Sequence, residues 1–446
     1  MSLKESLFSC LLLILGLQLS AQEPLSLSDA ILTGLENNYQ IEISELRRDI
    51  AVNNNDWAIA GRYPTINLTA NSNNNYRDLN NPGSVLRESQ TYNTGITPGI
   101  QANWVLFDGY RVRITKEQLA GQQQLSEGNI KLAVENTIQA IIQSYYNALI
   151  QQEQLEVLEE VLILSRDRVA YQELRKEYGQ SSTFDILQTQ DAYLNDSTNY
   201  VVQLNTFATA LRNLKLAMGV EDFARTYELT DTLTAEVPDY EFEALQERMK
   251  ANNHQLQLEY INRELASINT RLQETEMKPS VQLQTGLTYD ISLSIGEQQF
   301  TFDPEPQELP QVAAKTFTGF INLSATYPIF DAGVRKSRIE NAKMEELIAQ
   351  LSISDLQRQL DNQLSNTLAT YRTQKQLVEV TGQLVSNARR NLEIAEERFR
   401  GGLINSFDYR SIQLSYINAS QQRLNAIFNL KNTETELVRL IGGLVR

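Results

Sequence analysis

The chain repeats itself. Asn37-Asn38 recurs as Asn252-Asn253 and Tyr63-Pro64 as Lys278-Pro279, both 215 residues on. Leu106-Phe107-Asp108 recurs as Ile329-Phe330-Asp331, Phe184-Asp185 as Phe407-Asp408, and Gly219 as Gly442, all 223 residues on. The spacing grows by eight between the prolines and the Phe-Asp pairs, so the second copy carries an eight-residue insertion there. A period this long exceeds any solenoid repeat and predicts a duplicated domain. The first copy is 22–219, the second 240–446, and 220–239 is a linker containing Pro238.

Within each copy the pattern predicts a helix, two strands, a very long helix and a further helix. In the first copy these fall at about 27–60, 62–78, 90–107, 110–177 and 182–219. In the second they fall at about 240–277, 279–295, 315–330, 332–400 and 405–442. Residues 110–177 are Pro-free and rich in Gln, Glu, Leu and Ile, all good helix formers. At ~1.5 Å per residue such a helix is about 100 Å long, more than a compact domain needs. Leu187, Leu194, Val201 and Ala208 recur every seven residues, and Leu204, Leu211 and Met218 form a second such row, the mark of a coiled-coil seam.

The strands alternate by two. Ile96, Ile100, Ala102, Trp104 and Leu106 share one face, with Thr97, Gln101 and Asn103 on the other. Phe317, Gly319, Ile321, Leu323, Ala325 and Tyr327 likewise oppose Thr318, Asn322, Ser324 and Thr326. A membrane β-barrel gives this pattern, and so does a half-buried sandwich strand. Tyr63 opens the first strand, Trp104 and Phe107 close the second, and Tyr327 and Phe330 close the fourth. In up-down hairpins those positions share one level, as an interfacial aromatic girdle would, although core aromatics would fit Trp104 and Tyr327 too. The Asn-, Gly- and Pro-rich segments 71–95 and 293–314 are then outward-facing loops.

Residues 1–21 read as a secretory signal, with Lys4, the apolar run 11–17, and Leu19-Ser20-Ala21 before Gln22. The apolar run is short of the ~20 residues a spanning helix needs. Cys10, the only cysteine, lies inside this signal, so the mature chain is predicted to have no disulfide and no thiolate metal site. No later stretch reaches spanning length. An exported chain that crosses a membrane without a spanning helix must use a closed barrel, because lipid leaves no partner for unpaired backbone groups. A soluble periplasmic protein also remains open at this point.

The net charge of −16 argues against a nucleic-acid partner. An enzyme is not expected, nor any cofactor. His254 is the only histidine, expected to be solvated, and one histidine cannot build a metal site. Acid pairs such as Glu159-Glu160 and Glu345-Glu346 read as solvated helix faces.

Trp104-Val105-Leu106-Phe107-Asp108-Gly109, Tyr327-Pro328-Ile329-Phe330-Asp331-Ala332-Gly333 and Gly401-Gly402-Leu403-Ile404-Asn405-Ser406-Phe407-Asp408 stand at corresponding junctions. In this order and duplication, the chain resembles the TolC-type outer-membrane efflux protein family along essentially its whole mature length. The resemblance implies a mainly α fold with a membrane β-barrel portion. In it, a homotrimer pools four strands per chain into one twelve-stranded barrel, continued by a long α-helical coiled-coil barrel. It implies outer-membrane location with a periplasmic extension, contact with outer-membrane lipid, a periplasmic adaptor (membrane fusion protein), and an inner-membrane pump of RND, ABC or MFS type.

The resemblance also implies a gate at the periplasmic tip, where acidic residues approach the threefold axis. Asp408 maps to the ring-forming acidic position and Asp185 to its counterpart; each follows a tip glycine, Gly402 or Gly179, by six. Ser411 stands where relatives can carry a second ring aspartate, Ile404 where a gate-locking Arg can sit, and Phe399 where a Tyr can lock the tip. One acidic ring is therefore expected, with the polar lock weakened or differently built. Helix N-capping is the competing reading of Asp185 and Asp408. Gly179, Gly401 and Gly402 are expected to end the preceding helices, with tip hinges as the alternative. The rival reading of the whole chain is a structural or adhesive coiled-coil rod.

Overall fold

The computed structural model describes residues 23–233 and 238–445. The expected signal, with Cys10, and part of the expected linker lie outside them. The chain divides into two compact units. One is helical and comprises the described residues up to 48, with 126–260 and 352 onward; the other comprises 49–125 and 261–351.

The second unit holds the sheet. Its strands are β2 (Thr65–Asn80), β3 (Leu86–Phe107), β5 (Ser280–Phe300), β6 (Asp303–Glu308) and β7 (Ala314–Thr326); β1 (Glu23–Leu25) and β4 (Tyr227–Leu229) form a small parallel pair in the helical unit. The large sheet runs β2-β3-β5-β7, antiparallel throughout, with β6 on the far part of β5. The central β3–β5 pair joins the two halves of the sequence. The strands reach well beyond the expected boundaries: most of 71–95 and the start of 293–314, expected as loops, are ladder. The Asn-rich run 71–75 has turn-like composition, but every residue of it pairs, from Asn71 opposite Thr97 to Asn75 opposite Asn93. The strip β6 had no signal in the sequence.

The helices are α1 (Leu27–Asn37), α2 (Tyr39–Asn54), α3 (Arg111–Glu177), α4 (Thr183–Ala217), α5 (Phe242–Asn252), α6 (His254–Thr275), α7 (Val334–Arg400) and α8 (Ser406–Leu440). Both long helices have 67 residues and both following helices 35. Each expected helix at 27–60 and 240–277 is in fact two. Asn38 and Asn253 adopt extended backbone and end one helix while capping the next. The Asn38 Oδ1 accepts the Gln40 N–H at 2.8 Å, and the Asn253 Oδ1 accepts the Leu256 N–H at 3.0 Å.

The break at Asn253 turns His254 inward, contrary to the expectation of a solvated ring. His254 is buried, its Nδ1 3.5 Å from a carboxylate oxygen of Glu135, itself 2 % exposed. Burial raises the Glu135 carboxyl above the usual carboxylate range, against the opposing pull of His254 and Arg439.

Three apolar clusters hold the helical unit. One packs Ile141, Tyr145 and Leu149 of α3 against Leu214 and Met218 around β1 and β4. A second packs Leu245, Met249 and Leu256 against α7 and α8. The third, around Phe399, Tyr409 and Tyr416, braces the turns at the helix ends. The sevenfold row Leu187, Leu194 and Val201 is exposed on the single chain, so it forms no seam within its own subunit. The residues that α4 buries are instead Ile186, Thr189, Asp196, Ala210, Leu214 and Lys215.

Candidate functional site

The sheet has two chemically distinct faces, fixed by its register. Directly opposed residues share a face. Ile66, Ala102, Thr285 and Ile321 form one such row, Leu68, Ile100, Leu287 and Gly319 the next, and Trp104, Leu283 and Leu323 another. Most of these apolar side chains are exposed: Leu68 is 81 % exposed and Ile321 78 %. The opposite face carries Thr65, Asn103, Gln284 and Asn322 in one row, and Asn71, Thr97, Asp290 and Thr316 in another. Its groups bond across strands; the Thr97 hydroxyl donates to Asp290 at 2.8 Å. The outer edges of β2 and β7 have no partner strand among the described residues.

The expected girdle residues gather at one end of this sheet. Tyr63 precedes β2, whose Thr65 pairs with Asn103; Tyr327 follows β7, whose Thr326 pairs with Ser280. The Trp104 indole N–H donates to the Arg62 carbonyl at 2.9 Å. A bulge between Val105 and Phe107 sets Phe107 opposite Val281, a position of the apolar face, where strict alternation would have put it on the polar one. Phe330 lies in the connection after β7 and is largely exposed. Tyr110, which the sequence reading passed over, meets Phe107 edge-on at 5.4 Å between ring centres. It sits just past the Asp108-Gly109 junction and breaks the strand period that singled out the others.

The helix turns at 178–182 and 401–405 are built alike. Gly179 and Gly402 take φ of +71° and +70°, and the following N–H groups reach back to Arg175 and Arg398 carbonyls at 2.8 Å. These two glycines end their helices. Gly401 differs: its N–H bonds the Glu397 carbonyl at 3.0 Å, as in the helix before it.

The two aspartates do different work. Asp185 is the third residue of α4 and closes a capping box with Ser182. The Ser182 N–H and hydroxyl donate to it at 3.0 and 2.7 Å, holding its carboxyl below the usual range. Asp408 occupies the matching position of α8, but Asn405 caps that helix, accepting the Phe407 and Asp408 N–H groups at 2.9 Å. The Asp408 carboxylate is exposed and accepts no hydrogen bond from the described residues. Neither aspartate is thus the N-cap residue itself.

Ser411 is exposed. Phe399, 4 % exposed, packs between the rings of Tyr171 and Tyr409. Ile404, half-buried, packs on the same cluster.

A polar network beside this cluster was not legible in the sequence. Asp196, buried, accepts from Arg410 at 2.7 Å and from the Ser165 hydroxyl; Gln413, also buried, donates to Ser165 at 3.1 Å. Gln172 donates to Ser406 at 3.1 Å. These bonds join α3, α4 and α8. Ser, Asp, Arg and Gln look the same in a sequence whether solvated or buried, so no pattern marked them.

No helix among the described residues is long and apolar enough to cross a membrane, and no group of three or more His, Cys, Asp or Glu side chains among them could hold a metal ion. An antiparallel sheet closed into a barrel is a different route across lipid. One apolar face, one polar face and two edges without partner strands among the described residues are the features of a partial barrel sheet.

The chain belongs to the outer membrane efflux protein family, whose model matches residues 31–220 and again 245–443. The toluene efflux pump outer membrane protein TtgC of Pseudomonas putida is 22 % identical over 433 residues, covering 94 % of this chain and 83 % of that protein. The crystal structure of the Campylobacter jejuni CmeC outer membrane channel aligns with a TM-score of 0.73 at 16 % identity, over 94 % of this chain and 85 % of that one. The outer membrane protein VceC of Vibrio cholerae aligns with a TM-score of 0.70 at 16 % identity, over 94 % and 96 %. The fold is therefore that of the outer-membrane channels, combining a partial barrel sheet with long helices. The protein is an outer-membrane channel component of an efflux or secretion system, with a periplasmic helical extension.

Proposed function

We propose that three copies of this chain close one twelve-stranded barrel, through which solutes delivered by a periplasmic adaptor and an inner-membrane pump leave the cell. The observation that carries this reading is the sheet itself: four long strands, exposed apolar side chains on one face, polar side chains on the other, and edges at β2 and β7 without a partner strand among the described residues. Four strands are too few to enclose a lumen, since membrane barrels start at about eight. Joining β7 of one copy to β2 of the next satisfies both edges, and threefold repetition gives twelve strands. The exposed row Leu187, Leu194 and Val201 is then available to a neighbouring copy as an intersubunit seam.

Two matches of one family model within the chain, and paired helices of 67 and 35 residues, support its origin by duplication, with copies at 22–219 and 240–446. Tyr63, Trp104, Phe107, Tyr327 and Phe330 at one sheet end support an interfacial girdle. At the turns, Asp408 is the acidic group left free to face solute, which supports one ring of three carboxylates at the gate; Asp185 supports the turn structurally. Ser411 adds no second ring. Ile404 and Phe399, held in the apolar cluster, make no polar lock.

The direct test is reconstitution of the purified protein in planar bilayers. Discrete conductance steps are expected. A rod-like structural protein gives none, and a silent, well-folded preparation would overturn the reading.

A further inference from the structure

Most polar side chains of the helical unit find partners, but among the buried atoms that do not are two nitrogens of Arg168. Its residue is 5 % exposed, and its Nε and Nη1 have neither an acceptor nor contact with solvent. Burial lowers its pKa, the penalty expected when a guanidinium leaves water without a matching acceptor. The guanidinium lies over the Tyr409 ring, 5.2 Å from its centre. Buried donors are normally paired with an acceptor, and a ligand oxygen is one group that can supply it.

Arg168 borders a cavity of about 340 Å³. Leu164, Tyr171, Phe399 and Tyr409 give it apolar walls. Of the other charged groups on the rim, Glu396 is bound to Arg400 at 2.5 Å and Asp167 lies 3.7 Å from Arg166. The Tyr171 hydroxyl is committed to the Arg400 carbonyl at 2.7 Å. Arg168 is thus the buried lining cation with donors unspent, whereas Arg400 is exposed and paired with Glu396. Small-ligand sites combine apolar walls with a few placed polar or charged groups in a cavity of ~300 Å³ or more.

We propose that this cavity is a binding site for a small organic carboxylate with an apolar body. The carboxylate answers the Arg168 guanidinium, which turns toward it, and the body packs among Phe399, Tyr409 and Leu164. The walls come from α3, α7 and α8, so an occupied site ties three helices together beside the 401–405 turn. Neither the conductance of the channel nor its family membership requires such a site.

Benzoate is a suitable probe, with benzyl alcohol as its uncharged counterpart, titrated against the detergent-purified full chain by saturation-transfer NMR. Benzoate is expected to bind saturably, and benzyl alcohol more weakly by about tenfold or more, the margin of a charge-assisted hydrogen bond. Arg168→Gln should lose the same margin, with an unchanged or higher melting temperature because the buried charge is gone. Leu164→Phe, which fills the cavity and leaves Arg168 in place, should also lose benzoate. Equal affinity for benzoate and benzyl alcohol, equal binding by wild type and Arg168→Gln, or no saturable benzoate binding overturns the site. Bilayer conductance of the same preparation separates the two readings: conductance without benzoate binding removes the site and leaves the channel, and Arg168-dependent binding without conductance does the reverse.

Discussion

The carbonyl oxygen of Asn252 lies where Gly442 can have no side chain: a β-carbon on Gly442 would sit 2.2 Å from it. Asn37 and Gly219 repeat the relationship at 2.5 Å, and the two glycines share φ of +64° and +71°. Residues that recur at fixed spacing in the sequence thus meet in space, the end of a short helix against the end of a 35-residue one.

Alanine at either glycine must move backbone and adopt a left-handed conformation. Gly442→Ala and Gly219→Ala should each destabilise by about 1–3 kcal/mol. Thermal unfolding in detergent checks this; melting within error of wild type would show that the helix ends yield without loss.

Asp185 and Asp408 should separate stability from conduction. Removing the capping box with Asp185→Asn should cost about 1 kcal/mol. Because Ser182 lowers the folded-state pKa of Asp185, its contribution is present above the unfolded carboxylate pKa and fades as pH falls through the lower folded value. The stability difference between wild type and Asp185→Asn should therefore shrink on acidification. Asp408→Asn should leave melting unchanged but weaken cation preference or trivalent-cation block in single-channel recordings. Unaltered selectivity and block would remove Asp408 from the conduction path.

The Asp196–Arg410 pair is buried on the Asp196 side and tied to Ser165 and Gln413. Deleting one partner leaves the other uncompensated, so Arg410→Met or Asp196→Leu alone should destabilise by about 3 kcal/mol or more. The double substitution should recover part of that loss. Additive losses in a double-mutant cycle would mean that the two groups do not act as a pair.

Most of the architecture was legible because it rests on periodicity. Ile100, Ala102 and Trp104 alternate as they pair, and the Pro-free stretch from 110 forms the helix expected of it. What failed was composition. Asn71 to Asn75 resemble a loop, but a ladder needs only backbone groups, and long-range pairing with β3 decided their state. Asn38 and Asn253 break helices through their own side-chain caps, and Asn253 also donates to the Leu440 carbonyl at 3.0 Å, a contact 187 residues distant in sequence. In the site, Asp408 could be picked out from its turn. That Asn405, and not Asp408, carries the cap depended on geometry, as did the burial of Phe399 and Arg168.

Trp104 belongs to the apolar face near one sheet end, and Trp57 is the only other tryptophan. In a Trp57→Phe background, bromines placed at shallow depth in lipid acyl chains should quench the remaining fluorescence strongly. Deep bromines should quench it less, as an interfacial ring requires. Quenching only by aqueous quenchers would put Trp104 away from lipid.

The decisive measurement is the structure of the assembly by electron cryomicroscopy in a lipid nanodisc. Three chains are expected around one axis, with β7 of each paired to β2 of the next, Asn103, Gln284 and Asn322 lining the lumen, and Ile66, Leu68 and Ile321 on lipid. A single chain, a different copy number, or a sheet whose apolar face is covered by protein would contradict the account.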